Sequence, residues 1–266
     1  MLDAWLVLPA WVLFVTLGII FGTTGIAIHR ACFTSNGQPR WVAFGGIVGP
    51  FFTAPHTLFA LTAVFLASDA WRHSDQAERY LLDEQESALT IHSLSRLTSS
   101  HAPAIVAAVR TYVQAVLSDE WPPEQSSGSP KVAAAIDALL QAVVDPSLAG
   151  EMGAGVQAAL VGAVLKMADA RAGRLALRFN ATDDLKWGTA LILGFLAQVG
   201  IAIVHLERSR AQALALVVHT SGVVAMIGMI AVCERPFDGS RQVTPAHLQT
   251  ILQALAAQAS HDPPGR

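Results

Sequence analysis

The chain has 266 residues, of which 53% are hydrophobic and only 14% are charged, and its formal net charge at pH 7 is −3. A typical soluble domain carries about 25% charged residues, so this composition argues against an ordinary soluble protein. We expect no nucleic-acid partner.

Four segments of the chain contain no Asp, Glu, Lys or Arg: residues 4–28, 41–68, 187–204 and 211–233. As helices they would measure about 27–42 Å, and a bilayer core is about 30 Å thick. The first segment lacks the basic start of a signal peptide, so we expect it to remain as a helix. The sequence therefore predicts an all-α, polytopic membrane protein with four transmembrane helices.

The predicted order of the chain follows from these segments. It is transmembrane helices one and two in 1–68, an extramembrane helical bundle in 69–186, transmembrane helices three and four in 187–233, and a turn with a last helix in 234–266. Both termini and the bundle then share one side of the membrane. Arg and Lys flank both faces, so charge alone leaves the orientation open.

The predicted bundle contains four helices. They cover 69–97, a segment capped by Ser99 or Ser100 that carries Pro103 in its first turn and ends near Leu117, about 131–144, and about 151–178. The stretch SDEWPPEQSSGSP at 118–130 is the clearest loop. Strand patterns are absent, which favours an all-α bundle.

A basic stripe lies on the last bundle helix. Arg171, Arg174 and Arg178 are spaced three and four residues apart, which places them on one face. They either pair with the acidic helix that leaves the second span or line an aqueous vestibule that attracts anions. The sequence leaves both interpretations open.

Small and polar residues follow one line along the second predicted span. At spacings of three and four residues this line contains Gly46, Gly49, Thr53, His56, Ala60, Ala63 and Ala67. Small residues allow membrane helices to pack closely. Alternatively, identical copies of this helix line a pore, where Thr53, His56 and Thr57 provide polar contacts.

The last span ends in the sequence CERPFDGS. Pro236 stops the helix, Phe237 can anchor at the membrane interface, and Gly239 would permit a left-handed turn. Glu234 and Arg235 lie at the membrane edge, where they can pair with charges of a neighbouring helix. Thr244 would cap a last helix that begins with Pro245.

Signatures of enzymatic chemistry are missing. The sequence contains no G-x-S-x-G, H-E-x-x-H or Walker motif, and Gly150, Gly153 and Gly155 are in the wrong order for a dinucleotide loop. We expect no enzymatic activity, no cofactor and no metal. Cys32 and Cys233 fall at opposite membrane faces of the predicted topology, which excludes a disulfide between them.

Two spans, a helical insertion, two further spans and a P-F-x-G turn together resemble the bacterial bestrophin-like membrane family. The resemblance covers nearly the whole chain. Its marks are ERPFDG at Glu234 to Gly239, VTPAHL at Val243 to Leu248, Trp71 at the exit of span two, and the acidic helix with Glu84 and Glu86.

The resemblance implies a homo-oligomer, five subunits in bestrophins, that conducts ions passively and typically conducts anions. It also implies a multi-pass protein of the bacterial inner membrane with a cytoplasmic bundle and cytoplasmic termini. Span two would line the pore through Gly49, Thr53, His56, Thr57, Ala60, Ala63 and Ala67. The partners would be membrane lipid, further copies of the chain and the permeant ions.

One feature of bestrophins does not transfer. Their turn runs into an acidic cluster that binds calcium, whereas Asp238 is followed here by Gly239, Ser240 and Arg241. One carboxylate cannot supply the six to eight oxygens that calcium takes.

A non-conducting scaffold or sensor, whose bundle binds a cytoplasmic partner, is the alternative function. In that case the small residues of span two pack against other spans of the same subunit. A coupled transporter is disfavoured, because the spans lack the buried charges that such proteins use.

Overall fold

The computed structural model describes residues 2–33, 38–40, 50, 53–98, 100–121, 128–179 and 183–259. The helices are α1 (Leu2–Leu6), α2 (Ala10–Cys32), α3 (Thr53–Ser95), α4 (Ala102–Ala115), α5 (Pro130–Val144), α6 (Pro146–Met152), α7 (Ala154–Phe179), α8 (Asp184–Val204), α9 (Ser209–Glu234) and α10 (Ala246–Ala259). A π-helical turn, Val116–Glu120, extends α4. The described residues contain no strand beyond one isolated bridge between Phe33 and Pro39. The predicted all-α class is confirmed.

The chain divides into two compact units. The first unit comprises Met1–Ser74 and Ala181–Gln242, and the second comprises Asp75–Asn180 and Val243–Arg266. Helix α3 contributes its first part to one unit and its second part to the other. The turn after α9 belongs to the first unit, whereas the C-terminal helix α10 belongs to the second.

Helices α2, α8 and α9 are long and apolar enough to cross a bilayer, by their length and composition. Helices α5 and α6 pass the same test only as a pair, and they are bent by 56° at their junction. Of the predicted second span, residues 41–49, 51 and 52 lie outside the described residues, and residues 53–68 begin α3. Four transmembrane helices therefore stay a prediction.

Several predicted boundaries were wrong. The first span is interrupted at Pro9, which separates α1 from α2, because proline has no backbone N–H to continue the helix. The residue before α4 is His101 rather than a capping serine. Residues 118–120, predicted as loop, continue α4 in the π-helical turn. Helix α10 begins at Ala246, one residue after Pro245.

The predicted fourth bundle helix begins at Ala154 as α7, and a short helix, α6, which was not predicted, precedes it. Asp145 accepts a hydrogen bond from the Ser147 backbone N–H and so caps α6. Helix α6 then ends at Gly153, whose φ of 84° is the only positive φ among the described residues. This left-handed backbone suits glycine and separates α6 from α7.

Close contact of α2 and α9 forms the core of the first unit. Leu13, Leu17 and Phe21 of α2 are almost fully buried, as are Val223 and Ile227 of α9. A Cβ placed on Gly228 would overlap the ring of Phe14, so this glycine allows the two helices to approach closely. Apolar packing through small residues thus holds the membrane helices together.

Two glutamines join the same three helices by hydrogen bonds. Gln198 of α8 donates to the Phe21 carbonyl at 2.9 Å and to Thr220 Oγ1 at 2.8 Å, and its Oε1 accepts from Thr24 at 2.9 Å. Gln212 of α9 donates to the Ala202 carbonyl of α8 at 2.6 Å and contacts His29 of α2 at 2.8 Å. Both glutamines are fully buried, and these bonds satisfy their polar atoms. We call them the glutamine clamps.

The second unit buries one face of each of its helices. Ile105, Val109 and Val113 of α4 are fully buried, as are Val132 and Leu139 of α5. Helix α10 contacts α4 and buries Leu248, Ile251 and Leu255. The C-terminal helix is therefore part of this core.

Both cysteines of the chain, Cys32 and Cys233, are free and buried.

We predict that Gln198→Met destabilises the first unit. The substitution keeps the volume but removes three interhelical hydrogen bonds, which at about 0.6 kcal/mol each give about 2 kcal/mol. Denaturant unfolding of the purified protein in detergent measures this loss. Thr23→Val is the matched control, since the exposed Thr23 hydroxyl bonds only the Ile19 and Ile20 carbonyls of its own helix. Equal stability of the two variants would contradict the role of the clamp.

Candidate functional site

The first part of α3 has one exposed and one buried face. Thr53, Thr57, Ala60 and Val64 follow each other at spacings of four, three and four residues, and all four are exposed in the protomer. We call them the α3 stripe. Residues 53–68 carry no charged side chain. The stripe is therefore an uncharged surface made of two hydroxyls, a methyl group and one valine.

The predicted pore-lining residues do not all share this face. Ala63 and Ala67 are only 1% and 3% exposed and pack in the core of the first unit with Leu66 and Ala70. At about 100° per residue, Ala63 and Ala67 lie about 80° and 40° around the helix axis from Thr53, on the side of the core. Gly49 lies outside the described residues.

His56 lies beside the stripe, half buried. Its ring centroid is 5.6 Å from that of His219 on α9, and the two rings meet edge to face. His219 Nε2 lies 3.3 Å from the Gly194 carbonyl oxygen of α8, and Phe59 packs on the same ring. Three helices thus bring two histidines together that lie far apart in the sequence.

The turn after α9 is held by contacts with the start of the chain. Arg235 forms an ion pair with Asp3, and Ser240 donates a hydrogen bond of 2.8 Å to the Leu8 carbonyl. Helix α9 ends at Glu234, directly before Arg235 and the buried Pro236. These bonds fix the position where the chain leaves its last apolar helix.

The backbone at Gly239 differs from the expected left-handed turn, because Gly153 is the only described residue with positive φ. The glycine is required for another reason. The Gly239 N–H donates to the Arg235 carbonyl at 2.8 Å, and a Cβ on Gly239 would lie 2.9 Å from the Arg235 Cβ. A larger residue would therefore collide with the turn itself. Phe237 is half buried beside it.

The basic stripe of α7 lies in an ion-pair network within the second unit. Arg174 Nε is 3.0 Å from Glu84 of α3, and its Nη2 is 3.0 Å from Glu120. Arg171 binds Glu120 through Nε at 3.0 Å and again through Nη2. Arg178 donates to the Glu120 carbonyl at 2.6 Å. These contacts match the pairing interpretation of the stripe, with Glu84 as the partner on the acidic helix.

The central charges of this network are buried and paired. Glu84, Glu120 and Arg174 are at most 2% exposed. Tyr112 donates its hydroxyl to Glu84, and the Ser129 backbone N–H donates to Glu120 at 2.9 Å. Such a network stabilises the fold only because nearly every lone pair and proton finds a partner.

Two pKa shifts show how the partners compensate for burial. Burial alone would raise the pKa of Glu120, but hydrogen bonds from Arg171 and the charge of Arg174 lower it below the ordinary value. Burial raises the pKa of Tyr112 well above its ordinary value, and the charge of Glu84 raises it further. Tyr112 therefore remains a protonated donor, and Glu120 stays ionised.

Sequence reasoning missed Tyr112 and Glu120 in this network. Glu120 was assigned to a loop because Trp121, Pro122 and Pro123 follow it directly. Tyr112 is one of only two tyrosines in the chain, and its isolation in an Ala- and Val-rich helix was the available signal. A buried tyrosine requires a hydrogen-bond partner.

Comparison with known proteins gives one family. A model described as the bestrophin-like domain matches residues 17–248. A crystal structure of a bacterial bestrophin homologue from Klebsiella pneumoniae carrying a point mutation is 14% identical, with a TM-score of 0.68, over 91% of this chain and 98% of that chain. A second mutant of this homologue is 12% identical, with a TM-score of 0.68, over 92% and 98% of the two chains.

Another crystal structure, described as that of a membrane protein, is 11% identical, with a TM-score of 0.69, over 92% of this chain and 97% of that chain. No curated protein matches the chain significantly. At these identities the solved structures show a shared fold, while the family model covers most of the chain.

We predict that Arg174→Ala lowers the free energy of unfolding by about 3–5 kcal/mol, because it leaves Glu84 buried without the positive charge of Arg174. Denaturant unfolding in detergent measures the effect. Lys166→Ala is the control on the same helix, because Lys166 forms exposed ion pairs with Asp83 and Glu86. It should change stability by at most about 1 kcal/mol. A similar loss in both variants would contradict the structural weight given to the buried network.

Proposed function

Because the chain belongs to the bestrophin-like family, whose domain spans residues 17–248, we propose that its copies assemble into an ion channel with α3 around the pore. Membership in this family of membrane channels supports ion conduction in general. The observation that carries the proposal is the uncharged face of α3 that the protomer leaves exposed. Its opposite face is buried against the other helices of the first unit.

The stripe residues Thr53, Thr57, Ala60 and Val64 form the proposed pore surface. It replaces the line predicted from the sequence, since Ala63 and Ala67 are buried within the protomer. Gly49, which precedes Thr53 in the sequence, would extend this proposed pore surface, and His56 would flank it. Threonine hydroxyls and small side chains leave room for water and an ion.

Conduction through this pore is passive, and the permeant ions are anions. Residues 53–68 of α3 contain no Asp or Glu, so no fixed carboxylate repels an anion along this part of the helix. The Thr53 and Thr57 hydroxyls can donate hydrogen bonds to an anion. The segments 4–28, 41–68, 187–204 and 211–233 also contain no Asp, Glu, Lys or Arg, whereas coupled transport requires such charges within the spans.

The proposed assembly is a pentamer in the bacterial inner membrane. The second unit and both termini lie in the cytoplasm in this proposal. Arg72, Lys186, Arg235 and Arg241 lie near the helix ends on that side and Arg30, Arg40, Arg208 and Arg210 on the other, so the proposed orientation rests on the family and not on charge. Asp69 binds both Arg72 and Lys186 there, the latter at 3.0 Å, and links α3 to α8.

We predict that a carboxylate at Thr57 reverses the preference for anions. Two unit charges 4 Å apart interact by about 1–4 kcal/mol in water or near a protein surface. Thr57→Glu should therefore reduce chloride permeability at least about fivefold, since each 1.4 kcal/mol is a factor of ten. Reversal potentials in planar bilayers under a KCl gradient measure the change.

Thr57→Gln is the control for this experiment, since it has the same size without the charge. Identical reversal potentials for the glutamate and glutamine variants would place Thr57 away from the pore. Purified wild-type protein that carries no current under any gradient would contradict the proposed function itself.

We also predict that cysteines on the stripe cross-link between copies. In a background with Cys32→Ser and Cys233→Ser, Ala60→Cys should form disulfide dimers on oxidation, because the Ala60 side chains of neighbouring copies face one axis. Non-reducing gel electrophoresis of membranes detects them. Ala63→Cys, one helical turn away and buried in the protomer, should remain monomeric. Absence of cross-links at Ala60 would favour the alternative scaffold, in which the small residues of span two pack within one subunit.

A further inference from the structure

The paired histidines beside the α3 stripe point to a binding site for a borderline-soft divalent cation such as Zn²⁺. His56 and His219 lie on different helices of the first unit with their ring centroids 5.6 Å apart. We infer that the two imidazoles chelate one ion between α3 and α9, and that access of a hydrated ion to them rests on the proposed pore.

The ring separation fits a shared ion. Zinc binds imidazole nitrogen at about 2.0–2.1 Å, so two rings on a tetrahedral centre have centroids about 5 Å apart. The observed 5.6 Å is close to this value without rearrangement of the helices. Imidazole is also the ligand that zinc, copper and nickel share, whereas calcium and magnesium prefer oxygen.

The surroundings of His219 orient its ring as a ligand. The Gly194 carbonyl only accepts hydrogen bonds, so the His219 Nε2 at 3.3 Å from it carries the hydrogen. Nδ1 of the neutral ring then holds the lone pair that a metal requires. A backbone carbonyl that fixes the second nitrogen in this way is the usual support of a metal-binding histidine.

The position of the pair also allows an ion to reach it. Both histidines are only partly buried in the protomer, and His56 is adjacent to the exposed stripe residues Thr53 and Thr57. Two neutral ligands leave the double charge of the ion uncompensated, so water from the pore completes its coordination. An ion bound here adds positive charge beside the permeation path and alters ion flow.

Zn²⁺ binding to the full chain, purified without a histidine tag, tests the inference. Isothermal titration in detergent should show one site per subunit whose affinity falls by at least about tenfold in His56→Ala and in His219→Gln, since removing a ligand costs no less than removing the support of one. His219→Gln retains an amide that can donate to the Gly194 carbonyl, which preserves the helix contact. Binding should weaken as the pH falls, because protonated imidazole cannot bind a metal.

His101→Ala is the control, because His101 is a half-buried histidine of the second unit that pairs with Glu151. Unchanged affinity in His56→Ala and His219→Gln, or an equal loss in His101→Ala, would overturn the inference. Cysteine at position 56 should retain binding as a thiolate, and failure of His56→Cys to bind more tightly than His56→Ala would count against the site.

The titration does not depend on ion conduction, so the two proposals fail separately. A protein that conducts anions with no histidine-dependent Zn²⁺ binding loses only the metal site. A protein that carries no current but binds Zn²⁺ through both histidines retains the site and loses the proposed channel. In a conducting protein, Zn²⁺ should change the wild-type current and leave that of His56→Ala unchanged.

Discussion

Buried polar groups that must find partners inside the protein are the constraint on which this structure depends. Gln198 lies where its three hydrogen bonds come from helices α2 and α9, so a shift of any of the three helices would leave an amide unsatisfied in an apolar environment. Gln212 joins the same three helices nearer the loop between α8 and α9. Apolar packing alone fixes helix orientation weakly in a membrane, because lipid tails are as apolar as leucine. The clamps therefore set the orientation of the three helices.

The second unit meets the same constraint with charges instead of amides. Arg174 lies between Glu84 and Glu120, so α3, α7 and the π-helical turn share one set of ion pairs. The π-helical turn matters here because it carries Glu120 and its carbonyl oxygen to Arg171, Arg174 and Arg178. A regular α-helix would direct these groups differently, and π-helical turns are often found at such functionally constrained places.

The sequence predicted most of the helices because the apolar segments and the turn residues carry local information. The charge-free segments located α2, α8 and α9, and Pro130, Pro146 and Gly153 mark breaks in the second unit. Pairings between distant residues were not predictable in this way. Gln198 was recognisable as a polar residue in a span, but its partners Thr24 and Thr220 are set by helix packing. The same holds for Glu120 and Arg174, and for the two histidines that meet across α3 and α9.

The proposed pore face was predicted in part, for a geometric reason. Thr53, Thr57 and Ala60 are exposed, whereas Ala63 and Ala67 are buried, because at about 100° per residue these two lie about 80° and 40° around the helix from Thr53, on the side of the core. Small residues on α3 thus serve two purposes. The small residues that face the core of the first unit allow α3 to pack closely against its neighbours. Those that face outward form the uncharged, exposed stripe.

The turn after α9 shows why a shared fold does not transfer a shared ligand. In this chain Arg235 pairs with Asp3, and Ser240 binds the Leu8 carbonyl, so the turn is held to the start of the chain by its own guanidinium and hydroxyl. Only Asp238 follows Arg235 as an acid before the last residues of the chain, so the oxygen set for calcium is missing. At 11–14% identity the solved structures share the fold with this chain, and their polar contacts are not carried over to it. The chemistry of this protein follows from its own buried amides, ion pairs and histidines rather than from those of its structural relatives.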